Sequence, residues 1–282
     1  MRSAFARRVF QKFILVAIAA AVFGLGVCQS QAAQQAAISL HDGLVWADVN
    51  CNGTTMHFVV DTGAACTCVN LASIRRAGLR LGEPVSVSGV NGRAIGYHCA
   101  AFNGTVGGMK LPAQILALDL SGPARACSQP IDGLIGADFF QGNVVRIDYS
   151  RRVLTRRGAG SSGGESVRLR FEGGVLCVPV AVDGSHSRWT RLDTGCTDAL
   201  IWYGGAGAKS KDTSHTVALA SSSRTAIPAV VTVGGISTRA IPVKWCNRAI
   251  FPGEAGLLGN AALSQYRAIT IDGLRKRLEL SL

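Results

Sequence analysis

Charge is scarce in this chain, and acidic charge is the scarcest. Asp and Glu number 17 against 29 Lys and Arg, and only 16% of the 282 residues are charged while 48% are hydrophobic. That poverty excludes a disordered, highly charged chain and leaves a compact globular protein with room for one large or two ordinary domains. Aromatic residues are few as well, at 6%. The arginines are scattered without aromatic interleaving, which argues against nucleic acid as a partner. The five histidines form no cluster, so Cys66-Thr67-Cys68 lacks both the company and the spacing of a zinc site. No metal and no other cofactor is expected. The apolar run over residues 14–27 is shorter than the roughly 20 residues of a membrane-spanning helix.

That run follows a basic stretch, MRSAFARRVFQKF, and precedes Ser30-Gln31-Ala32 with small residues suited to a signal peptidase. Residues 1–32 therefore read as an export signal, which places the mature protein in a periplasm or outside the cell. Arg7-Arg8-Val9-Phe10-Gln11-Lys12 resembles the twin-arginine signature; an ordinary basic leader and an uncleaved anchor are the alternatives. Membrane contact is expected only through this leader. Of nine cysteines, Cys28 lies within it, leaving Cys51, Cys66, Cys68, Cys99, Cys127, Cys177, Cys196 and Cys246. An even number in an exported protein favours disulfides. Loss of Arg2, Arg7, Arg8 and Lys12 with the leader takes the net charge from +12 to +8, still basic enough to favour anionic surfaces or acidic substrates.

Helical periodicity is nearly absent. From Ile38 onward, short β-rich runs are cut by Gly and Asn: LVWADVN, HFVVD, VSVSGV, QILALDL, VVRIDY and VLTRR. These are strands and tight turns, and Asn52-Gly53-Thr54 and Asn103-Gly104-Thr105 read as turns among them. Residues 71–79, LASIRRAGL, are the one persuasive helix of this half. Residues 158–166, GAGSSGGES, have the composition of a flexible linker. They divide an N-terminal lobe, residues 33–157, from a C-terminal lobe, residues 167–282. The second lobe repeats the β-rich order with VRLRF, VLCVPVAVDG, RWTRLDTG, ALIW, AVVTVGG, IPVKW, GLLGN and AITIDGLRKRLEL.

Two triplets anchor the repeat, Asp61-Thr62-Gly63 and Asp193-Thr194-Gly195. Asp61 precedes Gly133-Leu134-Ile135-Gly136 by 72 positions, Asp193 precedes Gly256-Leu257-Leu258-Gly259 by 63, and Ile147-Asp148 or Ile271-Asp272 follows each. A duplicated lobe explains this order better than one meandering β domain. HFVVDTGAACTCVN with DGLIGADFF and VVRIDYSRRVLT resembles the retropepsin-like aspartic proteases; TRLDTGCTDALIW with GLLGNAAL and AITIDG resembles the same pattern. Two copies between Ile38 and Leu282 resemble the bilobal, pepsin-like form. The resemblance implies an all-β chain of two similar β-barrel lobes, a catalytic cleft between them, and a monomer that supplies both loops itself.

It also implies that Asp61 and Asp193 form a catalytic dyad acting on a peptide or protein substrate. The chemistry is coherent, because two carboxylates a few ångströms apart resist double ionisation and share one proton. One then activates a water while the other polarises the carbonyl. Gly63 and Gly195 permit a tight turn and close approach of backbone to substrate. Thr62 and Thr194, by resemblance, hydrogen-bond across the lobes. Leu134-Ile135 and Leu257-Leu258 read as core packing beneath the site. A hairpin over residues 85–97, turning at Asn91-Gly92, is the expected flap, with Gly92 against the substrate and Tyr97 an ordinary strand residue. Residues 218–227 hold the corresponding place in the second lobe, but ASSSRTA has no comparable turn, and a plain surface loop is the alternative.

Three residues depart from the pepsin-like pattern. Ala64 and Cys196 stand where a Ser or Thr hydroxyl would steady each aspartate. Arg191 stands two positions before Asp193, where the first lobe has Val59; alternation along a strand puts it on the face of Asp193. There it binds acidic residues of the substrate or depresses the lower pKa of the dyad; the alternative is a solvated charge at a strand end. A non-catalytic bilobal protein that holds a peptide or cell-wall fragment is the competing function. A basic surface-binding module leaves the triplets unexplained.

Overall fold

The computed structural model describes residues 34–89, 92–158, 165–203, 226–246, 249 and 253–282. The expected leader and Cys28, the flap residues Val90 and Asn91, and most of the segment at 218–227 lie outside them. The first half is built from β1 (Gln35–His41), β2 (Leu44–Cys51), β3 (Thr54–Val60), β4 (Cys68–Asn70), β5 (Arg80–Gly89), β6 (Gly92–Ala100), β7 (Gly104–Val106), β8 (Met109–Lys110), β9 (Ile115–Leu118), β10 (Gly133–Ile135), β11 (Val144–Asp148) and β12 (Val153–Arg156). The second comprises β13 (Glu165–Arg168), β14 (Arg170–Glu172), β15 (Val175–Val182), β16 (Arg188–Asp193), β17 (Leu200–Tyr203), β18 (Ile227–Val233), β19 (Ile236–Cys246), β20 (Gly256–Gly259), β21 (Ala268–Asp272) and β22 (Arg277–Ser281).

One crossed unit appears twice. β2 and β3 form a hairpin whose turn residues, Asn52 and Gly53, have φ of +51° and +87°, the left-handed pair that a two-residue hairpin loop demands. β3 leads into Asp61 and lies parallel to β10, which pairs antiparallel with β4, itself parallel to β9. In the second half β16 ends at Asp193 and lies parallel to β20, which pairs antiparallel with β17, itself parallel to β19. The central strands β10 and β20 are buried throughout, which is why their sequences, GLI and GLLG, are apolar rather than alternating. The halves share more than a linker. β11 pairs antiparallel with β21, and β13, β22, β21, β11, β12 and β1 run on as one continuous stretch of sheet. One apolar core follows this path, from Val45 and Phe58 through Phe140 and Ile147 to Leu176 and Ile269.

Local expectations fare unevenly. Residues 71–79 do not form a helix: Leu71–Ser73 make a single 3-10 turn, the Asn70 side chain accepts from the Ala72 amide, and the chain leaves through Gly78 at φ +64°. A nine-residue segment is too short to hold helical structure unaided. Tertiary bonds win here, with the Ser73 hydroxyl and Arg76 both held by buried Asp132. The short helices lie elsewhere, α1 (Ser121–Ala124), α2 (Ala137–Phe140) and α3 (Asn260–Leu263). Gly104 and Thr105 belong to β7 rather than to a turn. The run VRLRF is divided, since β13 joins β22 while β14 joins β15 in a separate sheet. Residues 159–164 of the expected linker lie outside the described residues, and Glu165 and Ser166 already belong to β13.

No disulfide joins Cys51, Cys66, Cys68, Cys99, Cys127, Cys177 or Cys196. Cys51 is fully buried in the main core, and Cys68 and Cys196 pack in smaller apolar clusters. These thiols serve as small apolar side chains.

Candidate active site

Each Asp-Thr-Gly loop begins where a central strand ends. The Asp61 amide donates to the Ile135 carbonyl at 2.9 Å, so β10 holds the first aspartate from beneath. Each loop is then pinned to the helix after the glycine motif. The Ala137 amide donates to the Ala64 carbonyl at 2.8 Å, and the Asn260 amide to the Cys196 carbonyl at 2.7 Å. The first loop has a further support that no sequence signal pointed to: the Thr67 hydroxyl donates to Asp138 at 2.7 Å and accepts from the Gly136 amide at 3.1 Å.

The threonines lock the loops to each other. The Thr62 amide donates to the Thr194 hydroxyl at 3.1 Å, and the Thr194 amide donates to the Thr62 hydroxyl at 3.0 Å. Each hydroxyl then donates across the halves, Thr62 to the Leu192 carbonyl at 2.8 Å and Thr194 to the Val60 carbonyl at 2.6 Å. Both side chains are fully buried, so all of these bonds form where an unmet polar group is most expensive.

This lock brings Asp61 and Asp193 together, each carboxyl lying against the glycine of the opposite loop and the two titrating together. The glycines explain how the loops approach so closely. A Cβ on Gly63 would fall on the Asp193 carboxyl, and one on Gly195 would fall on that of Asp61. Gly63 and Gly195 are thus needed for the approach of loop to loop, a tighter constraint than substrate clearance.

Burial pushes both carboxyls above their ordinary value. Their surroundings differ. Asp61 Oδ1 accepts from the Gly63 and Ala64 amides at 3.0 and 3.1 Å, whereas Asp193 Oδ1 accepts from the Gly195 amide at 3.0 Å. Donors to a carboxylate favour its charged form, so the negative charge of the pair resides preferentially on Asp61. The pair nevertheless titrates as a unit.

The two aspartates lie in a cleft of about 410 Å³. Its walls are largely apolar, with Val87, Leu118, Leu120, Val175, Ile201 and Leu257 among them. One member of each apolar pair faces this space: Leu134 and Leu257 line the cleft, while Ile135 and Leu258 join the main core. Strand alternation sends neighbours to opposite faces. β5 and β6 form the expected hairpin, with Gly89 opposite Gly92, and Val87, Ser88 and Gly89 reach the cleft. Gly92 does not; it sits at the tip with φ +108° and open space around it. Tyr97 is a β6 strand residue paired with Pro84 and Ala117.

Arg191 lines the cleft but is 7% exposed, which excludes the solvated-charge reading. Its Nε donates to Glu254 Oε2 at 2.9 Å, its Nη2 pairs with Glu254 Oε1, and its Nη1 donates to the Gly63 carbonyl at 2.7 Å. Its positive charge opposes the rise of both dyad carboxyls. Glu254 lies two residues before the Gly256 motif and drew no notice as sequence; a lone glutamate in a loop carries no signal until Arg191 is seen to meet it. Burial raises the Cys68 and Cys196 thiols beside the dyad well above their ordinary value, and it pushes Cys66 up to about 11 with help from Asp138. Such thiols are poor nucleophiles at neutral pH.

Comparison with known proteins agrees with this geometry. Residues 47–139 match the family model for aspartyl proteases. A crystal structure of the aspartic proteinase from Irpex lacteus superimposes with a TM-score of 0.57 over 89% of this chain and 97% of that one, at 14% identity. That likeness is one of fold. None of the curated proteins compared matches the sequence. Residues 47–139 are thus similar in sequence to the aspartyl proteases, and the chain shares the all-β aspartic-proteinase fold of two lobes.

Proposed function

We propose that this chain is an exported aspartic-type endopeptidase, acting in a periplasm or outside the cell on peptide or protein substrates bound in extended form across the cleft. The observation that carries the reading is the close approach of two carboxyls, Asp61 and Asp193, each against the opposite loop's glycine and held by the reciprocal Thr62 and Thr194 bonds in a largely apolar cleft. Asp61, ionised, takes a proton from a water bound between the two carboxyls, and the resulting hydroxide attacks the scissile carbonyl carbon. Asp193, protonated, donates to the carbonyl oxygen, giving a tetrahedral diol. Its collapse breaks the C–N bond, with the proton on Asp61 passing to the leaving amine and a diol proton returning to Asp193. Both aspartates recover their starting states. The flap hairpin of β5 and β6 covers the substrate and limits competing water.

The test is a peptide-library digest between acidic and neutral pH. Asp61→Asn and Asp193→Asn are each expected to lower kcat by about a thousandfold or more, with peptide binding retained. A wild-type protein that holds peptides without cutting them establishes the binding protein instead.

A further inference from the structure

The duplication supplies an internal control for Arg191. Two positions before Asp61 stands Val59, and two positions before Gly133 stands Ile131; both are fully buried in the same apolar cluster on the first half's side of the cleft. The same offsets from Asp193 and Gly256 give Arg191 and Glu254. An apolar pair in one half is thus a buried ion pair in the other, with each side chain only 9% exposed. A buried ion pair is no better for stability than apolar residues of similar volume, so stability alone gives the exchange no advantage. What Val59 cannot do, Arg191 does: Nη1 crosses to the other half and donates to the Gly63 carbonyl, beside the first aspartate.

We infer that Arg191, oriented by Glu254, is a strut from the second half onto the Asp61 loop, and that both are positioning residues for the proposed dyad. The guanidinium is planar, and its bidentate engagement by one carboxylate fixes the direction of the remaining donor. The Gly63 carbonyl shares its planar peptide unit with the Ala64 amide, which donates to Asp61 at 3.1 Å, so holding the carbonyl holds a donor that orients the carboxylate. Arg191 therefore acts through Gly63 and does not recognise acidic substrate side chains.

The strut rests on the endopeptidase reading for its role, but it also makes an electrostatic prediction. Besides Glu254, the titratable groups around the guanidinium are Asp61 and Asp193, the Cys177 thiol opposite Arg191 on β15, and the Cys68 and Cys196 thiols near the aspartates; Glu172 and Arg170 act on Cys177 from β14. Burial raises all three thiols above their ordinary value, Cys177 to about 11, so they remain neutral at neutral pH. Arg191 acts on both carboxyls and Glu254 pairs with it, while the Lys244–Asp198 ion pair and Asp138 act on the neighbouring Cys196 and Cys68 thiols. Arg191→Gln removes a cation that favours ionised aspartates, so both limbs of the pH profile move up, by about one unit. Glu254→Gln removes the neutralising anion, so both limbs move down. A merely structural pair produces no such opposition.

The experiment compares wild type, both single variants, Arg191→Lys, and the double variant Arg191→Val with Glu254→Ile, which copies the first half. Expected results are opposite pH shifts in the single Gln variants, a roughly hundredfold lower kcat with little change in KM in the double variant, and no rescue by lysine, which cannot form both contacts. The double variant leaves no unpaired buried charge, so it keeps the test open if a single variant fails to fold. Carbon-13 titration of the aspartate carboxyls and hydrogen exchange at the Gly63 and Ala64 amides read the same strut without turnover. Should the wild type prove inactive while these two signals still shift, the strut stands and the endopeptidase reading falls. Unchanged titration and exchange in every variant, full kcat in the double variant, or a loss confined to peptides with acidic side chains overturns the strut.

Discussion

The two Asp-Thr-Gly loops share a backbone and differ in what surrounds it. Each follows a central strand, each has its helix amide on the loop carbonyl, and each threonine grips the other half. Yet the first loop has Val59 and Ile131 on its side of the cleft in an apolar cluster, and Thr67 bonded to Asp138 behind it. The second has Arg191 and Glu254. Two amides reach the Asp61 carboxylate oxygen and one reaches that of Asp193. The comparison teaches that two similar lobes preserve the approach of two carboxyls while the side chains around them make their surroundings unequal.

The largest effect beyond the aspartates themselves belongs to the glycines, where the halves are predicted to behave alike. Gly63→Ala and Gly195→Ala each drive a methyl into the opposite carboxyl and should lower kcat/KM by about a hundredfold. A much milder loss in one of them means that loop yields, and breaks the symmetry of the approach. Stability separates the halves. Burial raises both carboxyls above the unfolded value of 3.8, so their favourable contribution is complete below that value and is lost as pH rises through the folded titration. At neutral pH Asp193→Asn, which removes the carboxyl with the single amide donor, should increase Tm by a few degrees, the equivalent of about 1 kcal/mol, and Asp61→Asn, whose carboxyl has two, by less. The reverse order in calorimetry reverses the assignment of charge to Asp61. The smallest effect sharpens the comparison. Cys196→Ser places a hydroxyl donor beside Asp193, which stabilises its ionised form; the alkaline limb of the pH profile, where Asp193 loses its proton, should move down by less than one unit. An unmoved limb shows that the serine does not reach the carboxylate.

Much of this was legible in the chain. The paired triplets, the glycine-ended strands, the β-rich runs and the hairpin at 85–97 all follow from local rules, namely alternation, turn residues and a repeat. The misreadings have a common cause. Residues 71–79 carry helical residues, but Asp132, 59 positions on from Ser73, captures them. The cysteines suggested disulfides because parity is visible in sequence, whereas the apolar clusters that enclose the thiols are not. Glu254 was silent because an ion pair spanning 63 positions has no local signature.

By itself the sequence determined an all-β duplicated chain with two aspartates in matching loops, because strand alternation, turn chemistry and repetition are properties of neighbours along the chain. Tertiary structure decided how those aspartates differ. Their hydrogen bonding, the reach of Arg191 to Gly63, and the approach that only glycine allows depend on groups distant in sequence brought within 3 Å or so of one another. Burial then turns those contacts into large electrostatic effects, because charge removed from water is stabilised only by the partners that folding supplies.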